Sequence, residues 1–400
     1  MMNRREVLAA LTVPIATGSP SLAAQATSAR EKGKHVLDRF EVFRVRVNQR
    51  GDWTLLRTRT SSGLSGLGDC SHSGDDLKVL ALLNRYQREL RGRSIFAVED
   101  LRQWSRPEIA AHSRPAVVAI SAIEQSLWDL QGHALGVPTY ELFGGKLRLG
   151  IRQYANVNRM TTDRTPAGFA RSVELAVADG FDAIKMAPFD GLVPSPAAER
   201  TRQIRLAVEC GQAARRILGP SRDLLIDVHS LLTVPEGLDV LKEMEALKLY
   251  WLEEVTAAEP LDALATINRA TTMTTAGGEA IVGIQAFYRY AAAGVVDVLM
   301  PDVKWCGGLL ELRKVAAMAE AMSLRVSPHG PASPVGNIAA GHACVTLPNC
   351  EINEFAYAEV PWRRDLVEPP ETFEKGHLTL SVRPGFGVTL NEKIVRQFAR

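Results

Sequence analysis

Leu224-Leu225-Ile226-Asp227-Val228-His229 is a short apolar run that ends on a carboxylate and a histidine. The pattern returns shortly afterwards, where Leu249-Tyr250-Trp251-Leu252 runs into Glu253. Working outward, β-rich runs of this kind fall at 153–157, 183–186, 224–228, 249–252, 274–277, 296–300, 324–327 and 351–355. Polar residues and an amphipathic helical pattern follow each one, with Gly180, Gly294, Gly307 and Gly308 punctuating the loops. Eight strands alternating with helices describe a parallel barrel rather than an open sheet.

In such a barrel the reactive groups sit where the strands run out, at the C-terminal face. The polar residues at those ends are Lys185, Asp227, Glu253, Glu279, Asp302, His329 and Glu354. From Asp227 onward they recur at intervals of 26, 26, 23, 27 and 25 residues, each about one strand-helix unit. Three converging carboxylates, Asp227, Glu253 and Glu279, repel one another in a partly buried site unless a cation sits among them. Ligation by oxygen alone points to Mg²⁺, with Mn²⁺ as the alternative, over zinc. The competing reading, three surface acids paired with neighbouring cations, fits less well because each follows an apolar strand. One unit separates Asp302 from His329, so a carboxylate on the adjacent strand can fix the imidazole tautomer and raise its basicity. His229, two residues after Asp227, faces the same mouth by the period of a strand. Lone histidines at strand ends are usually structural; the metal set and Asp302 weigh against that reading here. Lys185 is open between pairing with the substrate or metal carboxylates and standing at the core edge. Trp305 is equally open between a stacking wall and plain packing.

Upstream, 40–48 and 53–59 alternate as antiparallel strands joined by a turn at Gln49-Arg50-Gly51-Asp52. Gly63-Leu64-Ser65-Gly66-Leu67-Gly68 reads as a tight strand turn rather than a phosphate cradle, since no helix opens on its last glycine. From Asp75 to Gly136 the apolar spacing is helical, most strongly over 116–135, with Gly136-Val137-Pro138 closing it. Asp69 and His72 fall in the loop before that helical region. At the N-terminus, Arg4-Arg5 precedes an apolar run and Ala24-Gln25-Ala26 has cleavage-site spacing, so 1–26 is expected to be a twin-arginine-like export signal giving a periplasmic or secreted protein. Otherwise the chain is cytoplasmic; nothing else is long and apolar enough to span a membrane. A net charge of +2 carries no nucleic-acid footprint, and five cysteines without paired spacing read as buried thiols.

These motifs resemble the enolase superfamily, in its mandelate racemase-like acid-sugar dehydratase branch, over about 36–400. The resemblance is carried by Thr60 to Gly68, by Ala119-Ile120-Ser121-Ala122-Ile123-Glu124, by Pro138 to Gly145, by Trp251-Leu252-Glu253-Glu254-Val255, by Gly278-Glu279, by Met300-Pro301-Asp302, by Cys306-Gly307-Gly308 and by Pro384 to Val388. It implies an α+β capping domain over 36–145, a modified (β/α)7β barrel of the TIM type over 150–356, and a segment at 357–400 returning to the cap. It also implies Mg²⁺ on Asp227, Glu253 and Glu279, a base His329 oriented by Asp302, and a small-molecule sugar acid as partner. Barrels of this family usually form homo-oligomers. Racemase-like members carry Lys-x-Lys on the second strand; here the segment is Ile184-Lys185-Met186-Ala187, which argues against a second basic lysine. Asp227-Val228-His229 is instead similar to dehydratases in which the histidine protonates the departing hydroxyl. Glu354 is expected to hydrogen-bond a substrate carboxylate oxygen, as the protonated acid or alongside a cation. The expected reaction is α-proton removal and loss of water to a 2-keto-3-deoxy acid. Epimerisation or lactone cycloisomerisation is the near alternative, and a sugar-acid binding protein without turnover the remote one.

Overall fold

The computed structural model describes residues 34–48 and 51–400. The export signal expected at 1–26 and the tip of the turn at Gln49-Arg50 lie outside the described residues. Strands β1 (Leu37–Asn48) and β2 (Gly51–Thr60) pair antiparallel with Val45 opposite Trp53, and β3 (Ser65–Asp69) adds to β2. The glycine-spaced stretch is thus only partly the turn expected of it. Gly63, at φ +88, turns the chain, but Gly66 and Gly68 lie within β3. A Cβ on Gly68 would stand 2.0 Å from the Ala122 carbonyl oxygen, and one on Gly66 2.3 Å from that of Ser126. The glycines let a helix backbone touch the strand directly.

That helix is α2 (Val98–Leu135), which with α1 (Asp76–Leu90) covers the sheet. It kinks at Ser113 (φ 55, ψ −143), just before Pro115, whose ring removes a donor and clashes with the preceding turn. The well-patterned part is therefore the straight segment after the kink. It stops at Gly136, whose φ of +72 suits a left-handed cap. A short helix, α3 (Thr139–Leu142), leads into the barrel.

Seven strand-helix units and a last strand follow: β4 (Gly150–Asn156), α4 (Pro166–Ala178), β5 (Ala183–Met186), α5 (Ala197–Leu218), β6 (Asp223–Asp227), α6 (Val234–Met244), β7 (Trp251–Glu253), α7 (Leu261–Arg269), β8 (Thr275–Gly277), α8 (Ile284–Ala292), β9 (Val298–Leu299), α9 (Leu309–Ala321), β10 (Arg325–Val326), α10 (Pro334–Cys344) and β11 (Ile352–Ala356). Neighbours in sequence pair in parallel from β4 to β10, and β11 pairs in parallel with β4. Ser327 Oγ donates to the Ile352 carbonyl at 2.9 Å across the remaining gap, so the ring closes. All eight runs read as strands are strands, a few of them shorter than expected.

The interior follows from the period of two. Tyr154, Ala183, Leu225, Trp251 and Ile352 form a buried apolar layer inside the barrel. Two residues further along the same strands stand Asn156, Lys185, Asp227, Glu253 and Glu354. Apolar packing thus plugs the barrel beneath a polar floor at its C-terminal mouth. After β11, strands β12 (Val367–Glu368), β13 (Thr372–Glu374), β14 (His377–Thr379) and β15 (Thr389–Leu390) and helix α11 (Glu392–Gln397) run back along the molecule. Their end lies on the first sheet, where Arg46 N donates to the Phe398 carbonyl at 2.8 Å.

Candidate active site

Asp227 ends β6, Glu253 ends β7, and Glu279 follows β8 after Gly278, whose φ of +100 bends the chain out of the strand. One oxygen of each carboxylate lies within 4.8 Å of the other two. Asp227 Oδ2 and Glu279 Oε2 are buried, the first facing Lys185 at 2.9 Å and His229 at 3.1 Å and the second facing His329 at 3.0 Å. Burial and the neighbouring Asp227 drive the Glu253 carboxyl well above its usual range, so the anions are not fully compensated by the protein alone. Three hard oxygen donors converging within 4.8 Å of one another fit a divalent cation of the magnesium type.

Lys185 reaches into this cluster from β5, 2.9 Å from Asp227 and hydrogen-bonded to Glu253, with Glu354 at 3.6 Å. Of the readings open from sequence, pairing with the clustered carboxylates is the one observed. Burial opposes its charge, but Asp227, Glu253 and Glu354 hold its pKa well above normal. Glu354 stands alongside a cation rather than as the neutral acid. Burial would raise it, but Lys185 and His329 keep it below the usual carboxylate value. Its oxygens accept from Asn156 Nδ2 at 2.6 Å and from Gly330 N at 2.8 Å.

On one side of the cluster, His329 Nδ1 lies 2.7 Å from Asp302 Oδ2 and Nε2 lies 3.0 Å from Glu279. Burial lowers the imidazole pKa, and Glu279, Glu354 and Asp302 more than restore it, for a net rise. Lys304 was not singled out in the sequence. It is fully buried, donates from Nζ to the same Asp302 oxygen at 2.8 Å, and donates from its backbone N–H to the other at 2.7 Å. Against the cost of burial, Lys304 and His329 hold Asp302 down at about 2. The signal for Lys304 was available: it follows Asp302 by two, as His229 follows Asp227. Trp305 is 9% exposed, with its ring 5.0 Å from that of His329 and the Arg114 guanidinium 4.1 Å above it.

On the other side, His229 Nε2 is 3.1 Å from Asp227 and Nδ1 is hydrogen-bonded to Asp190, a second residue missed in the sequence. His229 and Ser230 both have positive φ (49° and 59°), so the chain bends sharply as it leaves β6. The charge of Asp227, against burial and helped by Asp190, raises the His229 pKa to about 12.

Residues 168–394 match the enolase C-terminal domain-like family model, and 42–144 match the mandelate racemase/muconate lactonizing enzyme N-terminal domain. The chain belongs to the mandelate racemase/muconate lactonizing enzyme family. Among its relatives, the D-gluconate dehydratase of Thermoproteus tenax is 31% identical over 347 residues, covering 86% of this chain and 69% of that protein. A D-galactonate dehydratase of Verminephrobacter eiseniae is 30% identical over 357 residues, covering 87% and 91%. The crystal structure of a mandelate racemase/muconate lactonizing enzyme-like protein from Rubrobacter xylanophilus superposes with a TM-score of 0.84 at 30% identity, covering 92% of this chain and 98% of that one. Such relatives set this member of the family in its acid-sugar dehydratase branch.

Proposed function

We propose that the protein dehydrates a sugar acid to the 2-keto-3-deoxy acid, using Asp227, Glu253 and Glu279 to hold Mg²⁺. The observation that carries the reading is the pair of carboxylate-held histidines, His329 on Asp302 and His229 on Asp190, flanking one cluster of three carboxylates. Bound there, the ion would supply positive charge against the oxygens on which negative charge gathers when the α-proton leaves. His329 takes that proton, kept in position by Asp302, which accepts from Nδ1 and leaves Nε2 to act as the base. The carbon–hydrogen electron pair becomes a carbon–carbon double bond, and the β-hydroxyl leaves as water with a proton from His229. The enol then takes up a proton at the β-carbon and becomes the ketone. Glu354, ionised beside Lys185, accepts a hydrogen bond from the substrate.

General acid–base groups contribute about 10²–10⁴-fold, so most of the barrier reduction must come from preorganised charge around the carboxylate. The position at which racemase-like relatives place a second basic lysine holds Ala187, 1% exposed, which speaks against a two-base racemisation. In deuterium oxide, His329→Asn should abolish both α-exchange and dehydration. His229→Asn should keep exchange and lose dehydration. Dehydration at the wild-type rate in either variant would sink the assignment.

A further inference from the structure

The two histidines of the site are held differently. His329 is walled in, its side chain 6% exposed, whereas that of His229 is 35% exposed, so packing alone does not fix its direction. Asp190 supplies what packing does not, and Asp190 is itself held. It stands on a short turn, Pro188–Gly191, after β5, and its Oδ1 bonds His229 Nδ1. Its other oxygen accepts from Asn158 Nδ2 at 2.8 Å and lies 3.6 Å from the Arg164 guanidinium. Asn158 and Arg164 both come from the segment between β4 and α4.

Arg164 ties this segment to the turn. Its Nη1 donates to the main-chain and side-chain oxygens of Asn158, and its Nη2 donates to the carbonyl of Ala187, just before the turn. The guanidinium is packed 4.7 Å from the Phe169 ring. A guanidinium only donates, so the Asn158 amide gives its oxygen to Arg164 and its NH2 to Asp190. The Asn158 N–H donates to Asn156 Oδ1 at 2.9 Å, and Asn156 Nδ2 donates to Glu354 at 2.6 Å. One hydrogen-bonded path thus runs from Glu354 on β11 through Asn156, Asn158 and Asp190 to His229. With both oxygens engaged, the Asp190 carboxylate cannot turn. His229 Nδ1 stays on it, and Nε2 faces the carboxylate cluster, 3.1 Å from Asp227.

We propose that Asn158 and Arg164 are positioning residues for the proton donor His229, and that their hold on Asp190 sets how the reaction ends. The anion left when His329 takes the α-proton has two exits. In one, its electron pair forms the α,β double bond, the β carbon–oxygen bond breaks, and the hydroxyl takes the His229 proton and leaves as water. In the other, His329 returns a proton to the α-carbon and the substrate is regenerated. Only the first exit needs His229 in place. Asn158 and Arg164 touch neither His329 nor Asp302, so loosening them slows the loss of water and spares the return of the proton. This role rests on the dehydratase reading.

The test uses the full chain with Mg²⁺ in deuterium oxide and the best substrate from a panel of sugar acids. Product and recovered substrate are read from the same reaction, which gives the α-exchange per water lost. That quantity does not depend on how much of a variant folds, because both events come from the same active molecules. Asn158→Leu and Arg164→Met, each close in shape to the residue replaced, should raise it about 10–100-fold, the cost of misplacing a reacting group by about 1 Å. Arg164→Lys keeps the charge but cannot reach Asn158 and Ala187 together. It should raise the quantity by a smaller factor, and as the mildest change it carries the test if the others fold poorly. Exchange and dehydration that fall in equal proportion in these variants, or that do not change, would overturn the role while leaving the dehydratase reading intact. If the wild type removes water from no acid at all, that reading itself fails, and the role falls with it.

Discussion

Lys304 shows how one side chain sets the chemistry of another. Its ammonium shares an Asp302 oxygen with His329, and its own backbone N–H takes the other oxygen, so the carboxylate cannot rotate away from the imidazole. Partners that hold a reactive histidine in this way typically matter by about 10–100-fold when removed. Lys304→Met keeps the length and apolar stem of the side chain but removes the charge. It should lower kcat by about that factor with KM changed little, read from steady-state kinetics beside a melting curve. An unchanged kcat would mean that Asp302 needs no second anchor. At this scale the strand-end residues were legible because period and βα spacing both place them at the mouth. Lys185 was legible as a position but not as a role, since an apolar strand followed by lysine looks the same at a core edge. Asp190 was not legible: it sits on the short 3-10 turn Pro188–Gly191 after β5, and which such residues meet across a barrel depends on shapes that no local pattern encodes.

Among the elements, β3 and α2 make the tightest contact to have been misread. Glycine serves two purposes, positive φ and close backbone approach, and a sequence does not distinguish them. Gly63 uses the first, while Gly66 and Gly68 use the second. Gly68→Ala should therefore be costly although its backbone is ordinary for a strand. The added methyl would stand 2.0 Å from the Ala122 carbonyl oxygen, backbone that cannot swing aside. Denaturant unfolding should show a loss of about 3 kcal/mol or more, at the upper end of overpacking effects. A loss under about 1 kcal/mol would mean that α2 lifts off β3 readily. The kink at Ser113 was half-legible: Pro115 marks a break, but the sharpness of the bend is set by what the two segments pack against.

Across the whole molecule, His342 ties three distant parts together. It lies fully buried on α10, its Nδ1 accepts from the Tyr140 N–H at 3.1 Å, and its Nε2 faces the Phe386 carbonyl at 3.3 Å. That pattern requires the neutral ring with its proton on Nε2. Burial lowers its pKa to about 3. The sign follows: a folded-state pKa below the unfolded value of about 6.5 gives stability that is complete above pH 6.5 and lost as pH falls toward 3. Between about pH 6.5 and 5, before most carboxylates titrate, this one group should steepen the loss of unfolding free energy by up to about 1.4 kcal/mol per pH unit. The readout is the difference in slope between wild type and His342→Gln, in which the contributions of all other groups cancel. Equal slopes would show that His342 does not link the barrel to the returning segment through a neutral ring. Such links were invisible in the sequence, where His342 sits in an alanine-rich helix with nothing to mark it.

The most direct measurement of the central claim is mass spectrometry of products formed in deuterium oxide by the full chain with Mg²⁺, against a panel of aldonic, uronic and aldaric acids. At least one acid should lose a water, and its product should carry deuterium gained on ketonisation, with neither change in His329→Asn. Deuterium gained at the α-carbon with the mass of water retained would contradict it, and would make the protein an isomerising member of its family instead.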